Sequence, residues 1–261
     1  MLRSFPIVRS MKDITAIGFD LFNTLITAEP QTLAEAMGRL IMSLRQSGFS
    51  IEEEPFKETY HKMTLKFIER ARRDGRETHN SFWISATLED GGDPIPPNDA
   101  RIGEAVEHYF SAFYENCRLI PGTEAMLGTL QNRYSLGLLS NFTHGPAARE
   151  ILKRTGLNPY FKTILISGEL GYRKPHPYVF QALVEQLGAG KDHMLYIGDD
   201  PEPDIYGAKR AGLQPVWMTY VRDNEVPSVV PSLLQTEVEK PDSEIPRISS
   251  WQDLFSLLDK R

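Results

Sequence analysis

The sequence predicts an α/β protein: a Rossmann-like, doubly wound parallel sheet, interrupted near its start by an inserted α-helical bundle. Three observations predict it. A short apolar run ends on a carboxylate at Asp20, helical periodicity then holds without a strand from about residue 31 to 117, and strand–helix alternation resumes from Ile120-Pro121-Gly122 onward.

In order along the chain, Ile14-Thr15-Ala16-Ile17-Gly18-Phe19-Asp20 is a β-favouring run of the kind that is buried on both faces of a parallel sheet. After Pro30 the apolar residues recur at helical spacing, as in Leu33, Met37, Leu40, Ile41 and Leu44 and again in Tyr60, Met63, Leu65, Phe67 and Ile68. Breaks at 46–48, 73–76 and 89–97, rich in Gly, Asp and Pro, divide this stretch into about four helices. Predicted strands follow at 135–140, 163–166, 194–198 and 215–219, with helices at 123–132, 146–155, 177–187 and 204–211 between them. Residues 222–247, with several Pro, Ser and acidic residues, read as an irregular surface passage before a last helix at 251–258. Residues 1–12 carry Arg3, Arg9 and Lys12 but no long apolar stretch. They read as a disordered lead-in, with an organellar transit segment as the alternative.

Composition narrows the function. Of 261 residues, 41% are hydrophobic and 25% charged, ordinary values that exclude disordered and collagen-like chains. A net charge of −6 gives no general pull toward nucleic acid or anionic membrane. The single Cys117 rules out an intrachain disulfide and a multi-cysteine zinc site, and fits a reducing compartment. No apolar run reaches the roughly 18 residues of a membrane span. The expectation is a cytoplasmic protein, monomeric or homodimeric, with a small-molecule partner.

Ligands of open parallel sheets sit beyond the carboxyl ends of the strands. Three predicted strand ends there carry chemistry: Asp20-Leu21-Phe22-Asn23-Thr24, Ser140-Asn141, and Asp199-Asp200-Pro201-Glu202-Pro203-Asp204, with Arg173-Lys174-Pro175 between the last two. Each alone has a plainer reading, as a turn cap, a strand-end hydroxyl, a solvated lysine or an acidic run at a helix N-terminus. Taken in this order, the four resemble the haloacid dehalogenase superfamily of hydrolases. The insertion resembles the subclass with a helical cap between the first and second motifs. The resemblance implies a core of residues 1–30 and 119–261 and a cap of residues 31–118.

It also implies a magnesium-dependent phosphatase of a small phosphorylated metabolite. Asp20 would be the nucleophile that forms an aspartyl-phosphate, and Mg²⁺ would be held by Asp20, Asp199 and the Phe22 carbonyl. Thr24, Ser140 and the backbone amides of Leu21, Phe22 and Asn141 would bind phosphate, and Lys174 would supply fixed positive charge. Asp200 and Asp204 would support the metal or the lysine, and Asn23 would supply a turn conformation. Candidates for reading the substrate from the cap are Arg72, Arg73, Arg76, His79, Asn80 and Trp83, while Tyr109, Phe110, Phe113 and Tyr114 read as bundle packing.

One residue departs from the family pattern. Phosphatases of this superfamily usually carry a second Asp two positions after the nucleophile, where it protonates the leaving alcohol; here that residue is Phe22. Three accounts stand. The chain is a phosphatase of better leaving groups, or one that borrows an acid from the cap, His144 or His176. It is a 2-haloacid dehalogenase, since halide departs without protonation, although those enzymes lack the acidic motif at Asp199-Asp200. Or it is a catalytically weak member that binds a phospho-ligand or a protein.

Overall fold

The computed structural model describes residues 11–227 and 241–259. Six parallel strands form the main sheet: β1 (Ala16–Phe19), β4 (Ser135–Ser140), β5 (Thr163–Ile166), β6 (Met194–Gly198), β7 (Gln214–Met218) and β8 (Arg247–Ile248). Their spatial order is β5-β4-β1-β6-β7-β8. Sequence order therefore runs outward from β1 in one direction and then in the other, which is the doubly wound arrangement, and the end of β1 is its switch point.

Alternation along β1 explains why both faces are covered. Ile17 and Phe19 pack into the apolar cluster that contains Ala147, Ile151, Trp251 and Leu254. Ala16 belongs to the opposite cluster with Val179, Phe180, Leu183 and Tyr196. Helices α5 (Thr123–Leu130), α6 (Gly145–Arg154), α8 (Pro177–Leu187) and α11 (Trp251–Leu258), with the short α7 (Ser167–Leu170), α9 (Gly207–Ala211) and α10 (Tyr220–Asp223), connect or flank the strands.

The predicted helical stretch is four helices: α1 (Thr32–Gln46), α2 (Glu53–Asp74), α3 (Asn80–Asp90) and α4 (Ala100–Asn116). Asp99 caps α4 by accepting from the Arg101 amide, and Gly75 ends α2 with φ +71°. The chain enters and leaves this insertion through β2 (Ile26–Ala28) and β3 (Cys117–Leu119), which pair antiparallel as a separate ribbon, Ile26 opposite Leu119.

Several details depart from the sequence reading. Met11–Asp13, assigned in part to the lead-in, forms a 3₁₀ turn with Met11 buried, and residues 1–10 lie outside the described residues. The passage at 222–247 contributes the end of α10 and the start of β8, and its residues 228–240 also lie outside the described residues. The helix expected from Asp204 begins instead as a π-helical turn, Pro201–Tyr206, in which the Asp204 and Ile205 amides both donate to the Asp200 carbonyl, at 3.0 and 3.4 Å.

Candidate functional site

The end of β1 delivers Asp20, which is 7% exposed. Its Oδ1 accepts from Lys174 Nζ at 2.6 Å. The same ammonium donates to Asp204 Oδ1 at 2.6 Å and to Tyr196 Oη at 2.9 Å, so all three of its hydrogens are directed. Burial by itself would lower the lysine pKa, but the adjacent Asp20 and Asp204 charges hold it well above its ordinary value. Lys174 is thus a buried, fixed cation.

Its position is set from both sides. Asn141 clamps the Lys174 peptide, with Nδ2 donating to the Lys174 carbonyl at 3.0 Å and Oδ1 accepting from the Lys174 amide at 2.8 Å. Asp204, 1% exposed, holds the ammonium with one oxygen and accepts from the Asp200 amide with the other, at 3.0 Å. Both residues were assigned to this region from sequence, but the Asn141 side-chain clamp was not foreseen, since it depends on a partner 33 positions away. Of the two roles open to Asp204, orienting the lysine is the one its bonds display.

Asp20, Asp199 and Asp204 each offer an oxygen, and these atoms lie within 4.8 Å of one another. Burial first, then the Asp20, Asp204 and Asp200 charges, push the Asp199 carboxyl well above the usual carboxylate range. Burial, only partly offset by Lys174, raises Asp20 to about 7, and Asp200 is raised to about 6 by burial and Asp204. Among the described residues no donor meets the Asp199 carboxylate, whereas the Asp199 carbonyl accepts from Trp217 Nε1 at 2.9 Å. A partly buried carboxylate with no donor, facing two others, fits a hard cation with oxygen ligands.

Other predicted residues divide. Ser140, Asn141 and Phe22 line the cavity above Asp20, about 230 Å³ in volume, together with Asp199 and Asp200. Thr24 is fully buried and its hydroxyl lies 3.5 Å from Asp20 Oδ2, so it steadies the carboxylate in place of facing the cavity. The Leu21 amide also bonds the Asp20 carboxylate. Asn23 adopts φ +59°, the left-handed turn expected of it.

Of the insertion candidates, Asn80 and Trp83 line the cavity; Arg72, Arg73, Arg76 and His79 do not. Arg72 and Arg73 lie on the exposed face of the last turn of α2, although the Arg72 charge is felt at Asp200. Arg76 stacks over Tyr172, its guanidinium carbon 5.6 Å from the ring centroid. His79 caps α3 and bonds His144, Nε2 to Nδ1 at 2.8 Å. Tyr109, Phe110 and Phe113, read from sequence as bundle packing, also face the cavity.

Sequence reasoning missed Glu77 and Arg173, which line the cavity as an ion pair at 3.4 Å with the Glu77 side chain 2% exposed. Their 96-residue separation leaves no local signal. His176 caps α8 and stacks on Tyr172 outside the cavity wall.

The chain also matches known proteins. The model for haloacid dehalogenase-like hydrolases matches residues 14–212. The chain is 31% identical over 132 residues to pyrimidine 5'-nucleotidase YjjG of Escherichia coli, spanning 50% of this chain and 58% of that protein. It is 29% identical over 205 residues to ribulose-1,5-bisphosphate 5-phosphatase of Halopiger xanaduensis, covering 77% of this chain and 83% of that one. Among solved structures, 2-haloacid dehalogenase from Pseudomonas syringae superposes with a TM-score of 0.69 at 20% identity, over 94% of this chain and 98% of that one. YfnB from Bacillus subtilis, bound to magnesium and showing interdomain movement, gives 0.61 at 23% identity, over 94% and 99%.

Proposed function

The chain belongs to the haloacid dehalogenase-like hydrolases, and from that premise we propose that it is a magnesium-dependent phosphatase of a small phosphorylated metabolite. The observation that carries the reading is the convergence of Asp20, Asp199 and Asp204 within 4.8 Å beside one fully engaged lysine. Three carboxylates against one ammonium leave negative charge that a phosphate would worsen. When bound by Asp20, Asp199 and the Phe22 carbonyl, magnesium supplies the offsetting charge. Several relatives bear phosphatase names, including the Halopiger enzyme.

In this reading Asp20 Oδ2, the oxygen that Lys174 does not hold, attacks phosphorus, forming an aspartyl-phosphate that water then hydrolyses. Lys174 holds the other oxygen and so fixes the attacking one. Ser140, on the cavity wall, donates to the phosphate, and Asp204 and Asn141 keep Lys174 in place. Residues 31–118 act as a cap over a core of residues 1–30 and 119–261, and Asn80, Trp83, Glu77 and Arg173 surround the leaving group.

A dehalogenase is the second reading, favoured by the apolar Phe22 beside the nucleophile. The deciding experiment measures phosphate and halide release with and without Mg²⁺, alongside calorimetry of Mg²⁺ binding to wild type and Asp199→Asn. Phosphate release that needs Mg²⁺, with at least tenfold weaker Mg²⁺ binding in a folded variant, is expected. Metal-independent halide release would replace this reading with the second.

A further inference from the structure

We propose that the leaving group is an uncharged flat aromatic ring bonded directly to the ester oxygen, making the substrate an aryl phosphate monoester; this deepens the phosphatase reading and rests on it. Six aromatic side chains line the cavity: Phe22, Trp83, Tyr109, Phe110, Phe113 and Phe142. Five of them, Phe22, Phe142, Phe113, Phe110 and Tyr109, form a continuous wall, and Trp83 joins it through Tyr60, whose ring meets both Trp83 and Tyr109. Phe22 and Phe142 stack in parallel, centroids 5.3 Å apart and planes 4° apart, and Phe113 stands edge-on to both, at 6.3 and 6.1 Å. Phe110 lies 5.1 Å from Phe142. The wall begins at Phe22, two residues from the nucleophile, so a ring attached through the ester oxygen meets it at once.

Charge argues the same way. Carboxylates of Asp20, Asp199, Asp200, Asp204 and Glu77 line the cavity against the cations of Lys174 and Arg173, and Arg173 is already paired with Glu77. An anionic leaving group would add to an excess of negative charge, whereas a neutral ring does not.

The proton inventory completes the argument. Glu77 is held by Ser167 Oγ at 2.6 Å and by Arg173, and its side chain is 2% exposed. Tyr109 is buried and hydrogen-bonded to Tyr60, which, with burial, raises its phenol well above 10. Asp200 accepts from the Glu202 amide as the cap of the π-helical turn. His79 and His144 bond each other away from the cavity lining. Glu77, Tyr109 and the two histidines are thus engaged elsewhere, and the side chain two positions after the nucleophile is the apolar Phe22. A leaving group that departs without a proton suits this site. An aryloxide has a conjugate acid with a pKa near 10, as tyrosine does, far below that of an alcohol.

The steps balance without an added acid. An Asp20 oxygen bonds to phosphorus, the bond from phosphorus to the aryl oxygen breaks, and its electron pair leaves as aryloxide, which takes a proton from water after departure. A water oxygen then bonds to phosphorus, the bond to Asp20 breaks and returns the carboxylate, and the water proton passes to solvent.

The test has two arms. Full-length protein with Mg²⁺ is assayed on 2-naphthyl phosphate and glycerol 3-phosphate, with kcat/KM for the aryl ester expected at least a hundredfold higher. Metal-free protein is titrated calorimetrically with 2-naphthol and with cyclohexanol. Saturable naphthol binding is expected, at least tenfold tighter than cyclohexanol, weakened at least tenfold by Trp83→Ala and held within threefold by Trp83→Phe. The conservative variant separates loss of the ring from loss of the fold. Equal kcat/KM for the two esters, or no preference for naphthol, overturns the aryl assignment and leaves the phosphatase reading standing. Naphthol binding with no phosphate released from any ester overturns the phosphatase reading, and the substrate assignment with it, while retaining the ring subsite.

Discussion

Phe22 occupies the place from which a carboxyl would reach the ester oxygen, and its ring is stacked on Phe142 instead. Phe22→Asp should raise kcat/KM on alkyl phosphates by roughly one to three decades, up to the range of 10²–10⁴ typical of general acid catalysis, and give no gain on naphthyl phosphate, which loses a ring of the wall that receives it. An equal gain on both ester classes would mean that the missing proton is not what limits the wild type. Gly198 is constrained at the same scale. A Cβ there would lie 2.4 Å from the Asp204 carboxyl, so Gly198→Ala must push Asp204 off Lys174. The cost is on the order of 1–3 kcal/mol, read as a fall in Tm together with loss of phosphate release. An unchanged Tm would show that the Asp204–Lys174 pair tolerates displacement. The carboxylates of Asp20 and Asp199 were legible in the sequence because each closes an apolar strand run. The Asn141 clamp, the inward turn of Thr24 and the Glu77–Arg173 pair were not, because rotamers and partners dozens of residues away leave no mark on local spacing.

At the scale of elements, the loop after β4 is tied to the insertion at several points. Thr143 Oγ1 donates to Asn80 Oδ1, His144 bonds both His79 and Glu107, and the His144 ring stacks on Phe110. Burial is the main cause lowering the pKa of each histidine, aided at His79 by the charge of His144 and opposed at both by Glu107. A histidine whose folded pKa lies below its unfolded value of about 6.5 contributes stability above that pH and loses it as the pH falls below. Tm should therefore fall more between pH 7 and pH 5 in the wild type than in His144→Asn; equal slopes would assign the acid loss elsewhere. The long elements were readable from sequence, since α2 over 22 residues or α8 over 11 repeats its apolar face several times. The ribbon of β2 and β3, three residues each, and the two-residue β8 are too short to show a period, and they exist because tertiary pairing completes their backbone bonds.

At the scale of the molecule, besides the ties to the loop after β4, the insertion is attached in two ways that differ in strength. The β2–β3 ribbon is continuous chain, whereas the turn after α2 meets the loop before Lys174 through two backbone bonds, Glu77 N–H to the Gly171 carbonyl and Arg173 N–H to the Gly75 carbonyl, both 3.0 Å. That second contact is tightly fitted, for a Cβ on Gly75 would lie 2.6 Å from the His176 ring. Glu77 and Arg173 line the cavity from its two sides, so contact and cavity wall are one structure. A ring held by Trp83 and Phe110 on the insertion and Phe142 on the sheet side is expected to enter as this contact parts while the ribbon holds. Arg76 and Tyr172 face each other there as an isolated antiparallel bridge flanked by those two bonds, the close non-hydrogen-bonded kind of pair. Cysteines at both positions are therefore placed to be joined, and the lone native Cys117 is buried. Oxidised Arg76→Cys/Tyr172→Cys protein should lose at least tenfold in kcat/KM on naphthyl phosphate and recover on reduction, with the reduced variant close to wild type. Full activity in the oxidised state would mean that substrate reaches Asp20 without this contact opening, by a path along the far side of the insertion.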